Sequence, residues 1–177
     1  MMPSGDALFD APLAPEPERE IVRVTERTMM DALHCRYGRV FGNGRRYVVA
    51  EHVRSHASFD ARRTADFIAG DLWQTGGLDL IGHEVKVSRG DWLRELAAPE
   101  KAAEFMPYMN RWWVVVSDAA IVRDGELPGD WGLLALAGSG LRVISRAPRH
   151  DAEPLTPSRL AALMRAVAKT AAAREAS

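Results

Sequence analysis

Apolar positions along this chain of 177 residues repeat with two periods, and the change from one to the other marks out the elements. Met29, Met30, Leu33 and Tyr37 recur at three- and four-residue spacing behind Thr25, a good N-cap. They predict a helix that Gly38 and Gly42-Asn43-Gly44 end in a turn. The pattern then shortens. Residues 46–53 are β-branched and aromatic and predict a strand; Thr64–Trp73 and Leu78–Ser88 predict two more, joined at Gly76-Gly77. Strands joined by short turns form an antiparallel meander. Asp91–Met109 is helical in composition, with Trp92, Leu93 and Leu96 on one face and Pro99 opening a second segment. Trp112–Ser117 is a continuous apolar run, as in a strand buried on both faces, and after a helix it can pair parallel with an earlier strand. Leu133–Ala137 and Leu141–Ser145 flank Gly138-Ser139-Gly140 and predict a hairpin. Thr156 and Pro157 open a last helix over 157–174, with Leu160, Leu163, Met164, Val167 and Ala171 as its apolar stripe.

Composition narrows the class. The chain is 47% hydrophobic and 27% charged, ordinary for one globular domain. No apolar run is long enough to span a membrane, and the first residues lack the basic and apolar regions of a secretory leader. The single cysteine, Cys35, excludes an internal disulfide or a CxxC metal site and fits a reducing cytoplasm. Residues 1–20 hold four prolines and five acids against one base, and read as a disordered acidic tail ahead of a single domain over 21–177. Without the tail the chain is mildly basic, compatible with DNA contact. Of 23 basic residues only Lys86, Lys101 and Lys169 are lysine, a composition that suggests a GC-rich bacterial or phage genome.

The chemistry concentrates in residues 62–89. On a strand Glu84 and Lys86 point one way while Val85 and Val87 point into a core. If the strand carrying Asp66 pairs alongside, Asp66 and Glu84 can hold a hard divalent cation, with the Val85 carbonyl as a third oxygen ligand. Lys86 then stands beside the scissile phosphate, which completes a minimal kit for phosphodiester hydrolysis. Asp71 and Asp79 fall at odd offsets from Asp66 and Glu84 and face the wrong way; Glu51 is the next candidate ligand. Arg62, Arg63 and Arg89 flank this stretch and are the candidate DNA contacts, with Arg45, Arg46 and Arg54 further off. His52 and His56 are four apart in an extended segment with no third ligand evident. Neither GxxxxGK[ST] nor GxGxxG occurs, so no nucleotide cofactor is expected.

Asp66 followed by Glu84-Val85-Lys86 resembles the signature of the PD-(D/E)XK nuclease superfamily. The wider context is similar to the bacterial DNA-repair family usually labelled MmcB and related phage proteins. The matching stretches are Arg62-Arg63-Thr64-Ala65-Asp66, Glu84-Val85-Lys86-Val87-Ser88, Asp91-Trp92 and Tyr108 to Trp113, with Leu127-Pro128, Trp131 to Leu134 and Val143 to Pro148 behind them. Thr64 is an insertion, and Asn110 stands where the family carries an acid. The resemblance implies a restriction-endonuclease-like α/β core of helix, three-stranded meander, helix and strand, with an added β-hairpin and C-terminal helix. It implies a Mg²⁺-dependent deoxyribonuclease (Mn²⁺ as substitute) with Asp66, Glu84 and Lys86 catalytic, working in DNA repair or phage DNA processing. The alternative is a non-catalytic DNA-binding accessory protein on the same fold. Trp112, Trp113 and Trp131 are assigned to the core, with a homodimer interface as their other use.

Overall fold

Strands follow one another across the sheet in the order of the chain. The computed structural model describes residues 24–38, 40–41, 44–58, 63–73 and 78–176; the acidic tail, Arg62 and the Gly76-Gly77 turn lie outside them. After helix α1 (Glu26–Tyr37), a small ribbon pairs β1 (Val40–Phe41) with β2 (Gly44–Arg45). The main sheet then takes β3 (Tyr47–Arg54), β4 (Thr64–Asp71), β5 (Asp79–Lys86), β6 (Arg111–Val116), β7 (Trp131–Ala137) and β8 (Gly140–Ser145) in sequence order. β3, β4 and β5 form the expected antiparallel meander. β6 pairs parallel with β5 and β7 parallel with β6, and β8 closes the sheet antiparallel to β7. Between β5 and β6 run α2 (Arg89–Ala97), a single turn α3 (Glu100–Ala103) opened by Pro99, and a short 3₁₀ turn. α4 (Pro157–Glu175) ends the chain.

The protein is therefore a mixed α/β domain with a six-stranded sheet and helices on both faces. α1 covers one face: Met29, Met30, Leu33 and Tyr37 pack with Phe67, Val85, Trp113 and Val115. α2 and α4 cover the other, where Trp92 and Ala166 join Val114, Val116, Trp112 and Trp131. N-caps fix where these helices begin. Thr25 forms a reciprocal capping box with Thr28, and the Ser88 and Thr156 hydroxyls accept from Asp91 and Arg159 amides. Among the described residues no helix is long and apolar enough to cross a membrane.

Two expectations need correction. β4 stops at Asp71 rather than Trp73, because the Asp71 carboxylate is held by Arg46 and the chain turns there, leaving Leu72 and Trp73 each 54% exposed. The fully buried face of α4 is Ala162, Ala166 and Thr170; of the expected apolar stripe Leu163 and Val167 pack half-buried against the core, while Leu160 and Met164 face solvent. Small side chains let α4 lie close against edge strand β3, where Thr170 Oγ1 accepts the Glu51 N–H at 2.9 Å. That contact satisfies an edge amide and blunts the edge against further pairing. The tryptophans take the core positions expected of them: Trp112, Trp113 and Trp131 are 1%, 7% and 6% exposed.

Two of these rings need bare backbone to lie on. A Cβ built at Gly82 would meet the Trp112 ring at 2.3 Å, and one at Gly132 would meet the Trp113 ring at 2.4 Å. Gly82 lies in β5 two residues before Glu84, so the large aromatic on β6 depends on a glycine in the strand that carries the candidate site. Gly82→Ala is expected to lower the unfolding free energy by about 1–3 kcal/mol through overpacking. Denaturant unfolding measures this, and an unchanged midpoint would show that Trp112 can move aside.

Candidate functional site

The site begins where β4 and β5 stop pairing. Their ladder is regular from Asp71↔Asp79 to Phe67↔His83. One step further the strands diverge, and the Val85 N–H donates to Asp66 Oδ2 at 2.8 Å instead of to main chain. The cause lies in the meander itself. Phe67 packs under α1 while Ala65 packs on the opposite face. Residues two apart on a regular strand share a face, so β4 turns over at Asp66. Across from it on β3, between the pairs Glu51↔Phe67 and Val53↔Ala65, His52 adopts φ 51°, a left-handed conformation uncommon outside glycine.

The remaining members follow from strand period and helix phase. Glu84 and Lys86 share a face, as their spacing requires, while Val85 packs on the α1 side. Lys86 Nζ donates to Glu84 Oε1 at 2.7 Å and reaches Glu95 Oε2 of α2 at 2.8 Å. α2 is fixed for that contact at its own start. Ser88 caps it, Trp92 is buried and donates its indole N–H to Glu126 at 3.1 Å, and Arg89 pairs with the same carboxylate. Glu95, three residues after Trp92, thus shares its inward face. Burial disfavours the Lys86 charge, but the two carboxylates more than offset it and hold the ammonium above the ordinary lysine pKa.

These residues line a cleft of about 580 Å³. Asp66, Glu84, Val85, Lys86 and Arg63 from the sequence reading all reach it, together with Glu26, Asp91, Arg94 and Glu95. Five carboxylates against three cations make it acidic. Glu26, His52 and Asp66 also bring potential ligand atoms within 4.8 Å of one another, with Glu26 and His52 exposed and Asp66 half-buried. Hard oxygen donors suit a divalent cation. The donor sets Asp66, Glu84 and the Val85 carbonyl, and Glu26, His52 and Asp66, share Asp66. The Val85 carbonyl faces the same side as its N–H, toward Asp66, because both main-chain groups of a strand residue face one neighbour.

Two predicted members are elsewhere. Glu51 faces α1, where its carboxylate meets His34 Nε2 at 2.5 Å, Arg174 at 3.3 Å and Arg27 at 3.6 Å. Burial raises the Glu51 pKa and these partners outweigh it, for a net lowering. It ties α1 to α4 across the sheet edge and does not reach the cleft. Arg89 is paired with Glu126, donates to the Ile121 carbonyl and does not line the cleft. Arg63 lies at the cleft with Glu100 and Glu104 at 3.3 and 3.5 Å. Glu26 and Glu95 were missed, and His52 was weighed only beside His56. For Glu95 the helical phase set by Trp92 was the available signal; the meeting of Glu26 with His52 is tertiary.

No family model and no curated protein matches the chain. Among solved structures, the SPO1766 protein of unknown function from Silicibacter pomeroyi is similar over 84% of each chain, with a TM-score of 0.52 and 22% sequence identity. That likeness is one of fold.

Beside Glu84, His83 is fully buried. Its Nδ1 faces the Phe67 carbonyl at 3.3 Å, so it donates there, and Nε2 accepts from the Tyr37 hydroxyl at 2.8 Å. Burial pushes its pKa from 6.5 down to about 3 and raises Tyr37 to about 12. The neutral imidazole is built into the fold. An unfolded chain takes up a proton on this residue below about pH 6.5. The folded form refuses it until near pH 3, so this stabilising contribution is complete above pH 6.5 and is lost as pH falls through that window. Between pH 6 and 4 the stability of His83→Gln should fall less steeply than wild type by about 1.4 kcal/mol per pH unit. Urea unfolding across that range checks it, and parallel slopes would show His83 to be charged in the fold.

Proposed function

We propose that the protein is a Mg²⁺-dependent deoxyribonuclease of the PD-(D/E)XK kind, on a restriction-endonuclease-like core, acting in DNA repair or phage DNA processing. The observation that carries the reading is the convergence of Asp66, Glu84, Val85 and Lys86 on one acidic cleft. The order of elements supports it: helix, antiparallel meander, helix, then a strand parallel to the last of the meander. These are the elements that the sequence resemblance implies.

Asp66, Glu84 and the Val85 carbonyl would hold the cation, with Glu26 and His52 near enough to Asp66 to share in it. Such a cation supplies positive charge opposite a phosphate and makes a neighbouring water more acidic. The protein's own groups do the rest. The Val85 amide holds Asp66 Oδ2, which fixes the orientation of that carboxylate. Glu95 and Glu84 keep Lys86 charged and in place. The Lys86 ammonium then donates to a phosphate oxygen as negative charge builds on it. Arg63, at the mouth, contacts a neighbouring phosphate and positions the strand without reading its sequence. An excess of carboxylates repels a phosphodiester, so ligand approach follows filling of the site by a cation.

Cleavage of plasmid and oligonucleotide DNA in Mg²⁺ or Mn²⁺ tests the reading. Lys86→Ala is expected to slow single-turnover cleavage about 10²–10³-fold, ~3–4 kcal/mol in the barrier. DNA affinity should change little, because one ammonium is a small part of the charge contacting a strand. Asp66→Asn should abolish calorimetric Mg²⁺ binding. Equal cleavage by Lys86→Ala and wild type would remove the role given to the lysine. Shift-assay binding with no cleavage by wild type, across metals and DNA structures, would make the protein a non-catalytic DNA-binding accessory.

A further inference from the structure

β5 enters the carboxylate cleft at its C-terminal end; its N-terminal end opens on a different surface. There an open groove of about 820 Å³ runs between the last turn of α1, the start of β3 and the segment after β8. It shares no lining residue with the cleft. Its floor includes Ile81, Trp113 and Leu141, and four arginines reach it: Arg36, Arg46, Arg111 and Arg146.

Charge accounting separates these arginines. Two carboxylates also reach the groove, and each is already gripped by an arginine. Asp71 takes Arg46 Nε and Nη2 at 2.9 and 2.6 Å. Asp79 takes Arg149 Nη2 and Nε at 2.9 and 3.2 Å. Among the described residues no carboxylate pairs with Arg36, Arg111 or Arg146. Arg111 donates to the Ala147 carbonyl at 2.6 Å, which fixes its fork without cancelling its charge. Arg36 lies over the Tyr37 ring at 5.8 Å. The C-terminal end of α1 contributes only about half a negative charge, so the groove keeps a clear positive excess.

We infer that this groove binds a phosphate ester, with Arg36, Arg111 and Arg146 on the phosphate and the sugar or base over the apolar floor. Guanidinium forks match phosphate oxygens in geometry as well as charge. A bare inorganic anion would leave the apolar floor unused, whereas a nucleotide unit carries a planar apolar part beside its phosphate. The same chemistry is offered by a free nucleotide and by a unit of a nucleic-acid strand. The site is independent of the nuclease reading, since it uses none of the cleft residues.

The test is fluorescence anisotropy of the full chain in EDTA, where metal-dependent chemistry is off. The probes are a fluorescent ATP analogue and a short labelled oligothymidylate. Arg36→Ala combined with Arg146→Ala removes two surface charges and leaves Arg111 to hold Ala147. Arg123→Ala combined with Arg165→Ala removes the same charge from exposed positions elsewhere. The groove variant should bind at least one probe about tenfold or more weakly, since each charge-assisted contact is worth that much. If the oligothymidylate is affected, its salt dependence should become shallower by about 1.4 log units per decade. Loss for the oligothymidylate assigns the groove to a nucleic-acid strand, and loss for the ATP analogue alone assigns it to a free nucleotide. Failure of wild type to bind either probe, or an equal loss in the control variant, would overturn the inference whatever cleavage assays show.

Discussion

A buried amide must have a partner, and the Val85 N–H finds one in a carboxylate instead of a carbonyl. Everything in the candidate site depends on that exchange. If β4 continued beside β5 in register, main chain would satisfy Val85 and the space between the strands would close. Because β4 turns over at Asp66, the side chain is drawn into the gap as an acceptor. Its orientation is then set by a backbone group in the middle of Glu84-Val85-Lys86. The same bond places the two carboxylate-bearing strands in a fixed relation, and the Val85 carbonyl faces the gap that results. A divergence of strands, normally a loss of hydrogen bonds, is converted into a cleft with a preset acid.

Lys86 depends on the second element of the frame. It is 7% exposed and held between Glu84 and Glu95, also buried. A buried ion pair is weak evidence for stability, because desolvation consumes much of the Coulomb gain and a well-packed apolar group often does as well. A chain that writes nearly all its basic positions as arginine, and buries a lysine here, gains little stability by it. A compact ammonium in a fixed place is the property that differs from arginine. α2 is anchored for this contact at one end by Ser88, Trp92 and the Arg89–Glu126 pair. The arginine assigned to DNA therefore contributes by rigidity: it holds the helix whose next turn holds the lysine.

Strand period made half of this legible from sequence. Glu84 and Lys86 on one face and Val85 on the other follow from alternation alone, and the order helix, meander, helix, strand follows from turns and caps. What escaped were the positions where local period breaks. Nothing in residues 50–54 announces that His52 takes a left-handed conformation, so β3 and β4 read as uniform strands, with Glu51 rather than His52 as the next candidate ligand. On α4 the large apolar residues suggested the buried stripe, but only Leu163 and Val167 of them reach the core, and close packing on an edge strand favours alanine and a threonine that can accept an edge amide. Side-chain size, which periodicity ignores, decided that face. Glu95 was within reach, since Trp92 fixes the inward phase of α2 and a carboxylate three residues on must share it.

The charge pattern along β5 bears on how any phosphate-bearing ligand meets this molecule. From Asp79 to Lys86 the strand spans about 23 Å at ~3.3 Å per residue, roughly the width of a nucleic-acid duplex. At one end, Arg36, Arg111 and Arg146, with no carboxylate partner among the described residues, give a positive potential; at the other, carboxylates outnumber cations. Formal net charge is −1, and that small number conceals two opposed fields. An approaching phosphate is drawn toward the groove and repelled by the cleft, and only a cation between Asp66 and Glu84 reverses the second force. If both proposals hold, the electrostatics would impose an order: the groove would attract a phosphate as the protein stands, and the cleft only once a cation is in place. On the two proposals, strong salt dependence would belong to the first interaction and metal dependence to the second, so the two ends of one strand would be separable by the ions each responds to.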